Sequence, residues 1–328
     1  VRAPRPLLLV VALVAVVAAA ALVLSRLGGP GPQESNQLAE RGQYVDPGAK
    51  AVAAAAQARA DGDVARAELF EELASVPSGI WLTPEQHPVG VVGDYVTALV
   101  TGADELDEVP LLVVYGVPER DCAGLLSAGG LSPEDYPTWV GEIATALELA
   151  PGPAVVVLEP DALATAQECG RRADRVEQIA TAVGLLARSG VTTYVDAGHS
   201  DWVGARSMAR LLEEVGVERV RGFATNVSNF QRDDDERAYA ETLDELVPGE
   251  QHWLIDRGRN GSGASEDWCN PAGATLGQRP GFVDDGTGLD AFVWVKPPGE
   301  SDGTCAGGPP AGEFWPEGAW RLAGDPGT

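Results

Sequence analysis

The amino-acid sequence predicts a parallel α/β barrel, TIM-like and of about seven strands, with its functional groups at the C-terminal strand ends. Two observations carry this. Between positions 79 and 295, short runs rich in Val, Ile and aromatic residues recur with helical stretches between several of them, and most runs are continuously apolar, as strands buried on both faces are. Polar or ionisable residues follow one run after another, the pattern of a barrel whose strand ends converge on one mouth.

The runs are Gly79 to Leu82, Leu111 to Tyr115, Ala154 to Leu158, Thr192 to Val195, Gly222 to Thr225, Trp253 to Ile255 and Phe292 to Val295. Before the first, Ala51 to Leu73 is rich in Ala, Glu and Arg and reads as one or two helices. Further on, Val176, Ile179, Ala180, Val183 and Leu186 fall at helical spacing, with Gly190 placed for a C-terminal cap. Met208, Leu211, Leu212 and Val215 repeat the pattern, and Gly216 closes it. After the strands come Tyr115 and Asp121, then Glu159 and Asp161, Asp196 with His199, Asn226, Asp256, and last Lys296, Glu300 and Asp302. One aspartate after a strand is commonly an N-cap or a turn residue. Six such strand ends in succession are not explained that way.

A chain of 328 residues could form two average domains, but nothing in its middle reads as a linker, so one large domain is expected at 44–328. Lys and Arg number 23 against 49 Asp and Glu, a formal charge of −26, which speaks against nucleic acid or an anionic membrane face as partner. Arg2 and Arg5 precede an unbroken apolar run from Leu7 to Leu24, the signature of an export segment. Residues 1–27 are therefore read as a signal peptide or an N-terminal membrane anchor, and 28–43 as a flexible spacer. Outside the cytoplasm the four cysteines can be oxidised, in any of three connectivities. Only His87, His199 and His252 are present and no two share a ligand spacing, so neither a metal nor another cofactor is expected.

Two segments take the reading from a barrel to a family. Val113-Val-Tyr-Gly-Val-Pro-Glu-Arg-Asp-Cys122 and Val157-Leu-Glu-Pro-Asp-Ala-Leu163 resemble the two signature motifs of glycoside hydrolase family 6, the inverting cellobiohydrolases and endoglucanases. The likeness continues through Tyr194–Trp202, Gly222–Asn229, Ile255–Asn260, Asp267–Asn270 and Val293–Gly303, in the same order, from about Tyr44 to the C-terminus. The resemblance implies a distorted parallel barrel of fewer than eight strands, acting as a monomer on β-1,4-glucan polysaccharide. It implies that Asp161 is the acid protonating the leaving oxygen, and that Asp121 keeps Asp161 protonated and steadies positive charge on the ring. Close carboxyls cannot both ionise easily, which supports that division. Arg120 is expected to keep Asp121 charged. Tyr115 matches the tyrosine beneath the distorted sugar, and Ser127 a serine that positions the attacking water. For the base, Asp302 is the candidate by position and Asp121, acting through water, the alternative.

By the same resemblance Trp81, Trp202 and Trp268 are sugar platforms, and Lys296 and Glu300 bond the sugar on the non-reducing side, unless they form a salt bridge on a rim loop. Asn226, Asp196 and His199 join the candidate substrate-binding set, with His199 read as a partner of Asp196. Trp139, Trp294 and Trp320 read as core. The implied disulfides are Cys122–Cys169 and Cys269–Cys305. The expected activity is internal cleavage, because only two residues separate Asp302 from Cys305, too few to roof a sugar chain, and Ala205 stands where processive relatives carry a tryptophan. Competing readings are a cellobiohydrolase working from chain ends and a catalytically idle carbohydrate-binding barrel. A serine hydrolase is excluded by the absence of a Gly-x-Ser-x-Gly elbow.

Overall fold

A computed structural model describes Gln33, residues 35–123 and residues 126–324. The expected export segment lies outside the described residues. Among those described, no helix is long and apolar enough to cross a membrane.

The strands are β1 (Gly42–Gln43), β2 (Ile80–Leu82), β3 (Glu108–Val109), β4 (Leu111–Val114), β5 (Val155–Leu158), β6 (Thr192–Asp196), β7 (Gly222–Thr225), β8 (His252–Asp256), β9 (Gly281–Phe282) and β10 (Leu289–Val293). The main sheet runs β2-β4-β5-β6-β7-β8-β10-β9, parallel throughout except for β9, which is antiparallel to β10. Its seven parallel strands are the seven runs read from the sequence. The short edge strand β9 and the β1–β3 pair were not expected, since two residues are too few to show a period.

Alternate side chains explain why the runs are continuously apolar. Leu111, Val113, Val155, Val157, Tyr194, Ala224, Leu254, Ala291 and Val293 form one buried cluster. Their neighbours Leu112, Val114, Val156, Leu158, Val195, Phe223, Ile255 and Phe292 belong to another, which includes the helix residues Val96, Ile143, Ile179, Leu212 and Leu243. Each strand thus faces the barrel interior on one side and the helix layer on the other. The expected caps hold: helix Arg172–Ser189 ends at Gly190 (φ 75°) and helix Ala205–Val215 at Gly216 (φ 80°), left-handed positions that glycine adopts without strain.

The barrel is distorted at one seam. No ladder joins β2 to β10; instead Gly79 N donates to Trp294 O at 2.7 Å and Trp81 Nε1 to Val295 O at 3.0 Å. Gly79 is required there, because a Cβ would lie 2.3 Å from Val295 O. Two helices, Lys50–Ala60 and Val64–Ala74, pack with Trp294 and Ala319 in a third cluster, and they correspond to the Ala-rich segment read as one or two helices.

The spacer reading of residues 28–43 needs correction in its described part. Leu38 is buried with the barrel-interior cluster, Asn36 Nδ2 donates to Asp290 O at 2.8 Å, and Gln33 Oε1 accepts from Thr193 N at 3.3 Å. Gln33 O also accepts from Arg221, whose guanidinium pairs with Asp290. All these partners lie at the N-terminal ends of the strands, so this arm stops the barrel floor opposite the mouth. A flexible linker would not bury a leucine against the core.

Candidate active site

At the mouth, several non-glycine residues hold positive φ: Glu119, Asp121, Cys122, Glu159, Asp161, Asn226 and Ser228. They follow β4, β5 and β7. Such strain collects where side chains must be aimed at a shared point, and the surrounding hydrogen bonds maintain it.

Asp161 follows β5, and its backbone N–H donates to Asp196 Oδ2 at 2.9 Å; the same oxygen accepts from Gly198 N at 3.1 Å. Burial, then the neighbouring Asp196 and Asp121 charges, push the Asp161 carboxyl well above its usual range, against the pull of Lys296. Burial likewise raises Asp196 to about 7, opposed by the two N–H donors. Both shifts favour the protonated form of these two carboxyls. Tyr115 donates from its hydroxyl to Asp121 Oδ1 at 3.4 Å and meets Trp81 edge-on, with ring centroids 5.0 Å apart.

Asp302, on the loop after β10, is bound on both oxygens by Arg259 Nη1 at 2.8 and 3.0 Å; Asn270 N donates to it at 3.0 Å and Lys296 Nζ lies 3.6 Å away. Burial would raise its pKa, but the Arg259 and Lys296 charges outweigh that and hold it below the usual carboxylate value. Lys296 itself is lowered by burial and stands 5.8 Å from the Trp81 ring. The two disulfides are Cys122–Cys169 and Cys269–Cys305, the expected pairing, each tying down a loop that carries site residues. Among the described residues no cluster of His, Cys, Asp and Glu could hold a metal ion.

The model of the family described as glycosyl hydrolases family 6 matches residues 38–325. The chain belongs to that family. It is 41% identical over 285 residues to endoglucanase A of Cellulomonas fimi, an alignment that covers 86% of this chain and 61% of that protein. Exoglucanase 3 of Agaricus bisporus is 33% identical over 293 residues, covering 75% of this chain and 66% of that one. Among solved structures, the endoglucanase Cel6 from Mycobacterium tuberculosis in complex with methyl-cellobiosyl-4-deoxy-4-thio-β-D-cellobioside superposes with a TM-score of 0.82 at 40% identity, over 90% of this chain and all of that one. The distorted barrel of family 6 is therefore the fold of this chain.

Within this family 6 site some expected residues sit elsewhere or act otherwise. Arg120 makes no ion pair with Asp121; it pairs with Glu85 at 3.2 Å and donates to Tyr115 O and Ser127 O, because the turn at Pro118 to Asp121 points it back under the loop. Asp196, expected among the substrate-binding residues, is buried and holds the Asp161 backbone N–H. His199 does not bond Asp196; its Nδ1 accepts from Asp201 N, and burial lowers it to about 4, so it is neutral. Asn226 is wholly buried, with its amide spent on Gln231 and on Asp256 O, which fixes the loop after β7 and leaves no face for a sugar.

Glu300 pairs with Lys50 at 3.0 Å and Lys296 lies 3.6 Å from Asp302, so each of the two has an ion-pair partner other than its companion. Of the platforms, Trp268 is 57% exposed. Trp81 and Trp202 are half-buried, with Trp202 Nε1 bonded to Glu168. Trp139 and Trp294 are core as expected, whereas Trp320 is half-buried beside Arg66. Sequence reasoning missed Arg259, the clamp on Asp302. Its only signal was a basic residue in the block after β8, with no mark of its partner.

Proposed function

We propose that this protein hydrolyses internal β-1,4-glucosidic bonds of cellulose-type glucans with inversion, Asp161 donating the proton to the leaving oxygen. The observation that carries this reading is a half-buried Asp161 at the mouth of a family 6 barrel, its backbone N–H held by Asp196 and its carboxyl pushed toward the protonated form by desolvation and by the nearby Asp196 and Asp121 charges. An acid kept neutral at working pH is what glycosidic cleavage requires. Tyr115 and Asp121 lie beneath the reacting ring, and Ser127 sits on the loop that meets the attacking water. Asp302 is the poorer proton acceptor of the two candidates, because Arg259 and Lys296 already neutralise it. The proton from water therefore passes to Asp121 through solvent. The two disulfides support a place of action outside the cytoplasm.

Internal cutting is supported by the short Asp302-Gly-Thr-Cys305 link and by Ala205. One contact favours the second reading, cleavage from chain ends. Leu126, on the loop after β4, packs against Gly303, where an added Cβ would lie 2.5 Å from Leu126 Cβ, so the loops on the two sides of the seam touch. Carboxymethyl cellulose separates the two: internal cutting lowers viscosity steeply at little reducing-sugar release, whereas end-cutting releases sugar while viscosity barely moves. Proton NMR of the same digest should show the α-anomer first; initial β-product would overturn inversion.

A further inference from the structure

The loop after β4 carries Asp121 and Ser127, and its two halves are held differently. The first half is fixed from below. Glu159 accepts from Gly116 N and Val117 N at 3.0 to 3.1 Å, Arg175 donates to Pro118 O and Glu119 O, and Cys122 is bonded to Cys169. The returning half, which carries Ser127, reaches the first half at its end, where Leu131 N donates to Gly116 O at 3.0 Å. It is tied back by Arg120, whose N–H meets Gly129 O at 3.1 Å and whose Nε meets Ser127 O at 2.9 Å. Arg120 in turn lies over the Tyr115 ring, 4.3 Å from its centroid.

One group from outside this loop binds both strands of it at once. Glu85, on the turn after β2, accepts through a single oxygen, Oε1, from Arg120 Nη2 at 3.2 Å and from Gly130 N at 3.1 Å. There is no room for a bulkier junction, since a Cβ on Gly129 would meet Glu85 Oε1 at 2.4 Å and Arg120 Nη2 at 2.6 Å. The loop it braces is strained, with Glu119, Asp121 and Cys122 all at positive φ, so it has less strained conformations to relax into if the brace is lost.

We propose that Glu85 is a positioning residue for hydrolysis, holding Ser127 in register with Asp121 through Arg120 and Gly130. It touches no reacting atom. This rests on the catalytic reading of the site. Its energetic share in global stability is small, because the carboxylate is half-exposed and such pairs add little to folding. Its weight lies in geometry, where a displacement of about 1 Å in a reacting group can lower turnover as much as 100-fold.

The test is a double-mutant cycle of Glu85→Ala and Ser127→Ala in the full protein, with kcat and KM on a soluble glucan, the melting temperature, and amide exchange over residues 118–130. Glu85→Ala should lower kcat roughly tenfold with KM changed less than about twofold, and should speed exchange at 126–130 while the melting temperature stays within about 2 °C. In the Ser127→Ala background the same change should lower kcat much less, because the group it positions is gone. Glu85→Gln, which keeps an acceptor for Gly130 N, should fall between. Unchanged kcat in Glu85→Ala, or full additivity with Ser127→Ala and no faster exchange, overturns the proposal. Should Glu85→Ala fold poorly, Glu85→Gln decides by the same readings. A wild-type protein that releases no sugar defeats the catalytic reading instead, and the exchange measurement then reports on the brace alone.

Discussion

At the scale of single residues the site works by making one carboxyl unlike the others. Asp161 and Asp302 both lie at the mouth, yet one is raised by desolvation and by neighbouring acids while Arg259 and Lys296 hold the other down, so their pKa values move apart. Asp161→Asn should keep the shape and lose the proton. We expect kcat on unactivated glucan to fall by about 100-fold to 10,000-fold, with oligosaccharide affinity by calorimetry nearly unchanged. Near-normal turnover would remove Asp161 from its role. Asp161 could be proposed from the sequence because it sits in a short continuous motif. Arg259, 43 residues before Asp302, could not, because a pairing across that separation leaves no local pattern.

Among the elements, the seam between β2 and β10 is the least redundant part of the barrel. Elsewhere neighbouring strands share several ladder bonds, but here Gly79 N to Trp294 O and the Trp81 indole replace a ladder. Gly79→Ala would force a methyl against Val295 O and the Val113 side chain, and overpacking of this kind costs about 1–3 kcal/mol. Chemical denaturation should show that loss, with activity falling alongside because Trp81 and Lys296 flank the same seam. A variant as stable as the parent would mean that the seam can open freely. The seven strands and the two glycine caps were readable from period and composition. The seam was not, since Gly79 looks like any strand-flanking glycine until Val295 is placed against it.

For the whole molecule, buried acids set the pH response. Asp161, Glu159, Asp196, Glu236 and Asp256 all have raised pKa values, Glu159 and Asp196 to about 7, chiefly through burial. A raised carboxyl binds its proton more tightly folded than unfolded, so its contribution is complete below about pH 4 and is lost as pH climbs through 7. Asp302 and His199 act in the opposite sense, their contributions fading as pH falls through the acid range. The net charge of −26 adds repulsion as the acids ionise. We therefore expect the melting temperature by calorimetry to drop by roughly 5 °C or more between pH 5 and pH 8. A rise over that range would show that these acids are ionised in the folded protein at low pH.

The sequence by itself determined the barrel, its seven parallel strands, the family and the candidate for the acid. Each of these is written in contiguous residues, as a run of apolar side chains, a cap or a seven-residue motif. The tertiary structure decided what each polar residue is bonded to. Asn226 and Asp196 became supports, Arg120 turned to Glu85, and the segment before residue 44 became the stop of the barrel floor. These outcomes depend on which strands lie side by side and how far apart their loops stand. Hydrogen bonds reach only about 3 Å, so a partner is known only once the chain has been folded in space.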